Sequence, residues 1–320
     1  MLSYLLLVIG FALLIKSADY LVTGASSFAR IFNVSELVIG LTMVAFGTSM
    51  PELFISIMAA VSGNPGLAIG NILGSNIANI LLVLGTASII YPISVSRGTV
   101  WKEIPLSLLA AILVGIIAND KIIENRGYAE LSRIDGLVLL CFFIIFIYYL
   151  VGIARKNEGW DEHVQDKRRG MVKSLLLFVI GLMGLGIGSK LIVDSAVKIA
   201  AAHGVSQSFI GLSVVAIGTS LPELATSVVA ALKKNTEIAV GNAVGSNIFN
   251  IFLVLGVTSL ITPLPFQMSN NIDIGMTIFA SLVLFLTMFI GGRRRIIRWE
   301  RIVMVILYFS FIAFSFLIAV

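Results

Sequence analysis

The sequence predicts an all-α polytopic membrane protein of ten transmembrane helices arranged as two inverted five-helix repeats. Three observations lead there: an apolar composition, a regular succession of long apolar runs, and an ungapped internal match. Of 320 residues, 58% are hydrophobic and only 12% charged, where soluble domains carry about 25% charged residues. Mean hydropathy is +1.04. A water-soluble fold of this length could not keep so much apolar surface from solvent.

A helix needs about twenty apolar residues to cross a bilayer. Runs of that length, separated by charged, Gly or Pro clusters, give spans over 2–28, 36–62, 66–90, 102–118, 132–152, 172–200, 207–232, 237–261, 271–291 and 299–319. The first begins Met1-Leu2-Ser3-Tyr4-Leu5 with no basic residue ahead of it, so it reads as a span rather than a cleaved signal peptide. Loops are short. The longest, about 153–171, holds Arg155, Lys156, Lys167, Arg168 and Arg169 and leaves no room for an added soluble domain. The chain therefore divides into a first repeat over 1–153, a cytoplasmic linker over 154–171, and a second, inverted repeat over 172–320.

Orientation follows from the 22 basic residues, because Lys and Arg concentrate in cytoplasmic loops. With the N-terminus outside, sixteen fall at the inner side, among them the cluster Arg293, Arg294, Arg295, Arg298 and Arg301, and three fall outside: Lys121, Arg126 and Arg133. Both termini are expected to face out of a plasma membrane. The formal charge of +5 is explained by this asymmetry, and no nucleic-acid partner is expected. The single cysteine, Cys141, excludes an intramolecular disulfide.

Residues 36–85 and 207–256, offset by 171, match at 28 of 50 positions without a gap. Gly47-Thr48-Ser49 matches Gly218-Thr219-Ser220, Pro51-Glu52-Leu53 matches Pro222-Glu223-Leu224, and Gly74-Ser75-Asn76-Ile77 matches Gly245-Ser246-Asn247-Ile248. Each half has five spans. An odd number forces the second half to enter the membrane with opposite polarity, which places a substrate site near the midplane between the halves.

The repeated segments carry the chemistry. Pro51 and Pro222 interrupt spans 2 and 7, removing the bond to the carbonyl four residues back, and broken helices inside a bilayer expose carbonyls that can hold cations. A carboxylate at the bilayer centre costs at least about 2.5 kcal/mol, so Glu52 and Glu223 mark a functional site. Thr48 and Ser49, with Thr219 and Ser220, share the glutamates' helical face. Ser75 with Asn79, and Ser246 with Asn250, add hydroxyls and amides four residues apart. This oxygen-only set suits calcium or sodium, and no His or Cys is near for zinc or copper. Asn71, Asn76, Asn242 and Asn247 read as caps or cross-braces rather than ligands. Gly40, Gly70, Gly74 and Gly85 allow close helix approach. Lys16 with Asp19, and Lys190 with Asp194 and Lys198, have spacings that permit intrahelical pairing.

These doubled segments resemble the sodium/calcium exchangers of the calcium/cation antiporter superfamily, over the whole chain. The resemblance implies that Glu52 and Glu223 are the main calcium ligands and that Asn79 and Asn250 complete the central site. It also implies that Thr48, Ser49, Ser75, Thr219, Ser220 and Ser246, with the carbonyls of Ala45 and Ala216, serve flanking sodium sites. Spans 1 and 6 would slide across a core of spans 2, 3, 7 and 8. Asparagine at Asn250, where the potassium-dependent branch has aspartate, argues against potassium. Serine at Ser75 and Ser246, where the calcium/proton branch has glutamate, favours sodium. The expected function is sodium-for-calcium antiport, with calcium/proton antiport through the same glutamates as the alternative. An enzyme is disfavoured, because the only two histidines, His163 and His203, fall in or beside loops. No cofactor is expected, and the expected partners are the bilayer and the transported calcium and sodium, with no obligatory protein partner.

Overall fold

The computed structural model describes residues 2–123, 125, 127–155, 164–203, 216–290, 295–296 and 298–319. Nearly all of them are helical. The helices are α1 (Leu2–Ile31), α2 (Glu36–Thr48), α3 (Met50–Val61), α4 (Pro65–Ile90), α5 (Glu103–Ile117), α6 (Arg133–Arg155), α7 (Val164–Ala202), α8 (Ala216–Thr219), α9 (Leu221–Leu232), α10 (Thr236–Ile261), α11 (Asn270–Ile290) and α12 (Arg298–Ala319). Helix covers part or all of each of the ten expected spans, the seventh being described only from Ala216. By length and apolar character, seven of the described helices can cross a membrane, or eight when α2 and α3 count as one bent span. Part of the linker expected over 154–171 lies outside the described residues, and α7 already begins at Val164.

Local sequence sets these boundaries. Ser35 caps α2 by accepting from the Val38 amide, and Asn235 caps α10 by accepting from the Ile238 amide at 3.1 Å, each satisfying an orphan first-turn donor. Pro65 opens α4, and Pro51 and Pro222 sit in the first turns of α3 and α9, where a missing N–H costs nothing. The breaks expected at the prolines therefore fall slightly earlier, at Ser49 (φ −85°, ψ 3°) and Ser220 (φ −87°, ψ 6°). The axes of α2 and α3 bend by 41° there.

The layers follow from burial. In α4 and α10, 78% of the apolar window is buried, against 17% in α6, so α4 and α10 form the centre and α6 an edge. The broken helices α2/α3 and α8/α9 pack on that centre, with α5, α6, α11 and α12 outside and α1 and α7 lying side by side. Two short backbone ladders join the halves. Glu130–Leu131 pairs antiparallel with Leu264–Pro265, and Ser94 bridges to Arg295, with the Ile296 amide donating to the Ile93 carbonyl at 3.1 Å.

Glycine permits the closest approaches. A Cβ on Gly241 would lie 2.9 Å from the Gly40 Cα, so α2 and α10 cross backbone to backbone. On α7, a Cβ at Gly181 would meet the Leu21 amide nitrogen at 2.6 Å and the Ser17 carbonyl at 2.7 Å, both backbone atoms that cannot step aside. At Gly186 of the same helix a Cβ meets nothing within 4 Å. Gly181→Ala should therefore force α1 and α7 apart and lower stability by about 1–3 kcal/mol, while Gly186→Ala should be neutral or slightly stabilising. Thermal unfolding in detergent checks this, and equal melting of the two variants would show that the α1–α7 contact is looser than described.

Candidate cation site

The breaks at Ser49 and Ser220 bring two glutamates into the protein's centre. Glu52 and Glu223 stand in the first turns of α3 and α9 and are both completely buried. At each helix start the unpaired N–H groups and the helix dipole favour a negative side chain, which lessens the cost of burial.

Hydroxyls from both halves surround them. Ser75 donates to Glu52 Oε1 at 3.3 Å, and Ser49 donates to Glu223 Oε1 at 3.4 Å. Ser220 reaches Ser75 at 3.3 Å, and Thr48 lies 3.4 Å from the Ser246 hydroxyl. These O···O separations are longer than the usual hydroxyl bond of about 2.7–2.8 Å. They match the spacing of oxygens arranged round one cation: ligands about 2.4 Å from calcium and at right angles lie about 3.4 Å apart. Four further buried oxygens of the expected site have no hydrogen-bond partner, Glu52 Oε2, Glu223 Oε2, Asn79 Oδ1 and Asn250 Oδ1, and the same holds for Asn247 Oδ1. All four are pure acceptors, and they come in pairs from matched positions. Buried unpaired acceptors are costly, and a cation would satisfy several at once.

All the expected site side chains described here are buried: Thr48, Ser49, Glu52, Ser75 and Asn79 from the first half, Thr219, Ser220, Glu223, Ser246 and Asn250 from the second. The Ala45 carbonyl already accepts from the Ser49 amide at 3.0 Å and the Thr48 hydroxyl at 3.4 Å. Ala216 begins α8. Among the described residues no group of three or more His, Cys, Asp or Glu comes together, so the oxygens are those of two carboxylates, two amides and the hydroxyls.

Around this set lies a brace that the sequence shows only in part. Asn71 donates to the Ser56 hydroxyl at 3.0 Å and the Glu52 carbonyl at 3.4 Å, and Asn242 repeats this with Ser227 at 2.9 Å and the Glu223 carbonyl at 3.2 Å. Each ties a broken helix to its neighbour just behind the carboxylate. Asn76 and Asn247 donate to each other's backbone carbonyls at 3.2 and 3.1 Å, crossing the centre reciprocally. Asn250 donates to Asn76 Oδ1 at 3.0 Å, and its own oxygen is left without a partner. Ser56 and Ser227 lie on the glutamates' side of α3 and α9, four residues on, and that spacing was the signal available for them. A second feature gave no sequence signal at all. The backbone widens to π turns over Asn79–Leu84 and Phe249–Leu255, a distortion frequent at functional sites.

A multi-pass helical bundle that buries paired carboxylates among mirrored amides and hydroxyls has the architecture of a membrane cation transporter. Comparison with known proteins gives the family. The model of the sodium/calcium exchanger protein family matches residues 2–152 and 173–317. The sodium-calcium exchanger NCX_Mj superposes with a TM-score of 0.84 at 40% identity over 98% of both chains. Sodium/calcium exchanger MaX1 of Methanosarcina acetivorans is 33% identical over 99% of both chains. Inner membrane protein YrbG of Escherichia coli is 38% identical, over 82% of this chain and 81% of its own. The chain belongs to the sodium/calcium exchanger family and is a multi-pass membrane cation antiporter of that family.

The brace can be tested apart from transport. Asn242→Ala would leave the Glu223 carbonyl and the Ser227 hydroxyl without their donor and Thr48 without its 3.0 Å acceptor. The expected loss is about 1–3 kcal/mol, seen as a lower melting temperature in detergent without added ions. An unchanged melting curve would mean that the asparagine holds nothing.

Proposed function

We propose that this protein exchanges sodium for calcium across the plasma membrane by alternating access, binding both ions between two inverted five-helix repeats over 1–153 and 172–320. The linker over 154–171 lies inside and both termini outside. Glu52 and Glu223 are the main calcium ligands, and Asn79 and Asn250 complete that site. Sodium takes flanking positions built from Thr48, Ser49, Ser75, Thr219, Ser220 and Ser246 with the carbonyls of Ala45 and Ala216. No cofactor, nucleic acid or obligatory protein partner is needed.

The observation that carries this reading is the set of four buried, unpartnered acceptor oxygens on Glu52, Glu223, Asn79 and Asn250. Two carboxylates balance one calcium ion or two sodium ions, so the same cage serves either. With ions bound the site is neutralised and can be carried past an apolar barrier. Empty, it would bury two uncompensated charges, a physical basis for exchange rather than leak. The reciprocal Asn76–Asn247 bonds support the inverted-repeat reading, as do the two ladders, each of which joins a loop of one half to a loop of the other. Neutral Ser75 and Ser246 beside the glutamates supply hydroxyl oxygens for sodium and no further carboxyl to carry a proton.

Calcium-45 uptake into proteoliposomes with sodium, potassium and proton gradients imposed one at a time tests the coupling. Uptake should follow the sodium gradient and persist with no pH gradient. Uptake driven by a pH gradient with choline in place of sodium would instead establish proton coupling. Glu52→Gln and Glu223→Gln should each reduce sodium-driven uptake at least about 100-fold, since removing one partner of a buried charge pair costs about 3–5 kcal/mol. Near-normal flux in both variants would sink the assignment of the ligands.

A further inference from the structure

The site is nearly symmetric, but the junctions that frame it are not. Lys233 follows α9 and has its counterpart, by the offset of 171, in Ser62 after α3. The two turns share their conformation: Ser62 lies at φ −80°, ψ 6° and Lys233 at φ −80°, ψ 3°. Their contacts differ. Lys233 Nζ lies 2.7 Å from Asp19 Oδ1 and donates to the Asp19 carbonyl at 3.0 Å and the Thr23 hydroxyl at 2.6 Å, so all three ammonium donors end on α1. Two residues on, Asn235 donates to the Ser26 hydroxyl at 3.0 Å. Lys16 on α1 itself is 3.8 Å from Asp19, a weaker partner than the lysine from across the junction. At the matched junction Asp19 is replaced by Lys190, Thr23 by Asp194 and Ser26 by Val197. Among the described residues no hydrogen bond or ion pair joins Ser62 or Asn64 to α7.

The two sides also differ in packing. A cavity of about 260 Å³ is lined by Pro51 and Pro222, the residues next to the two glutamates, together with Ser189, Val193, Asp194 and Thr219. Across the fold, Ala18, Val22 and Thr48, which match Ser189, Val193 and Thr219, are fully buried. α1 and α7 meet through glycine at Gly10, Gly24, Gly181 and Gly188, too closely to shift independently, so they form one slab against the rest.

The geometry points to Lys233 as a latch: with Asp19 it fastens the α1–α7 slab to α9, keeps the site shut on the Lys233 side and open toward Lys190, and biases the alternation toward that state. Inverted repeats alternate access by rocking one unit against the other, and the two end states exchange the roles of the two junctions. When the Lys190 side closes, Lys190 faces Ser62 and no corresponding pair forms. The stabilisation is therefore one-sided. Lys233 is a positioning residue, acting through the slab rather than on the ion. This inference rests on the two halves alternating as proposed above, and not on which ions they carry.

Matched reporter cysteines test it. In a Cys141→Ser background, Val193→Cys reports the open side and Val22→Cys the closed side, each read as its rate of reaction with a soluble maleimide on purified protein. Val193→Cys should react fast and Val22→Cys slowly. Lys233→Ser should speed Val22→Cys labelling about three- to tenfold and slow Val193→Cys, the scale of an exposed pair strengthened by charge-assisted bonds. The charge exchange D19K/K233D should return both rates toward the starting values. The double variant S62K/K190D keeps the native latch and installs its counterpart. It should also move labelling from Val193→Cys to Val22→Cys, and it carries the test if Lys233→Ser fails to fold. Unchanged Val22→Cys labelling in Lys233→Ser and in S62K/K190D overturns the latch, as does a parallel rise at both reporters, which would signify general loosening. Labelling needs no flux, so a failure of sodium coupling leaves this result readable.

Discussion

Two carboxylates held in the centre of a lipid-embedded bundle, with no lysine or arginine paired to either among the described residues, form the constraint on which the rest of this structure depends. An isolated buried carboxylate is too costly to keep, and two facing one another add repulsion to desolvation. Most buried carboxylates meet this with a basic partner inside the fold. Here the neighbours are hydroxyls at 3.3–3.4 Å and amide oxygens with nothing to accept from. Such an arrangement is incomplete by construction. A cation that binds there and can leave again would supply the balancing charge, and that property would separate a transport site from a structural ion pair.

Incompleteness at the centre requires rigidity around it. Breaking α2/α3 and α8/α9 beside the glutamates gives up helix hydrogen bonds in a place where water cannot replace them. The proline rings remove the donors that would have met the Gly47 and Gly218 carbonyls. Asn71 and Asn242 compensate one turn later, each spending its two amide hydrogens on a serine hydroxyl and on the carbonyl of the glutamate itself. The hinge is thus tied at the backbone of the glutamate, whose side chain keeps one oxygen unpartnered. The reciprocal Asn76–Asn247 bonds do the same across the halves, on helices that are largely buried. Polar side chains at this depth are not uniform in role: Asn71 and Asn242 spend both donors on the hinge, whereas Asn79 and Asn250 keep an unpartnered oxygen.

Much of this was legible in the sequence for a specific reason. Membrane helices advertise themselves by composition, and duplication preserves the residues that matter at a fixed offset, so Glu52 with Glu223, Ser75 with Ser246 and Asn79 with Asn250 stand out as pairs. What stayed hidden depends on three-dimensional register. The break belongs to Ser49 and Ser220 rather than to the prolines, because a proline is most comfortable in the first turn of the helix it begins. The π turns at Asn79 and Phe249 are backbone responses to packing and have no residue signature. Asp19 offered Lys16 at helical spacing as an obvious partner, yet its shorter contact is with Lys233, more than two hundred residues away in the chain. Local spacing identifies who can meet within a helix, and only the fold shows who meets between helices.

Near-symmetry gives such asymmetric contacts their leverage. If the two halves were identical, the states open to either side would be equal in energy whatever the strength of the site, because each interaction lost on one side would be regained on the other. Ion binding at the proposed site would not break that balance, since the residues assigned to it come as matched pairs: a ligand with equal affinity for both states shifts nothing however tightly it binds. Only positions where the halves differ can set the resting state. Each 1.4 kcal/mol or so of difference moves the ratio about tenfold, so a single junction is enough. The glutamates could not supply that difference without spoiling the site. A lysine at a helix end can, because its three donors end on α1 and on none of the buried residues assigned to the site.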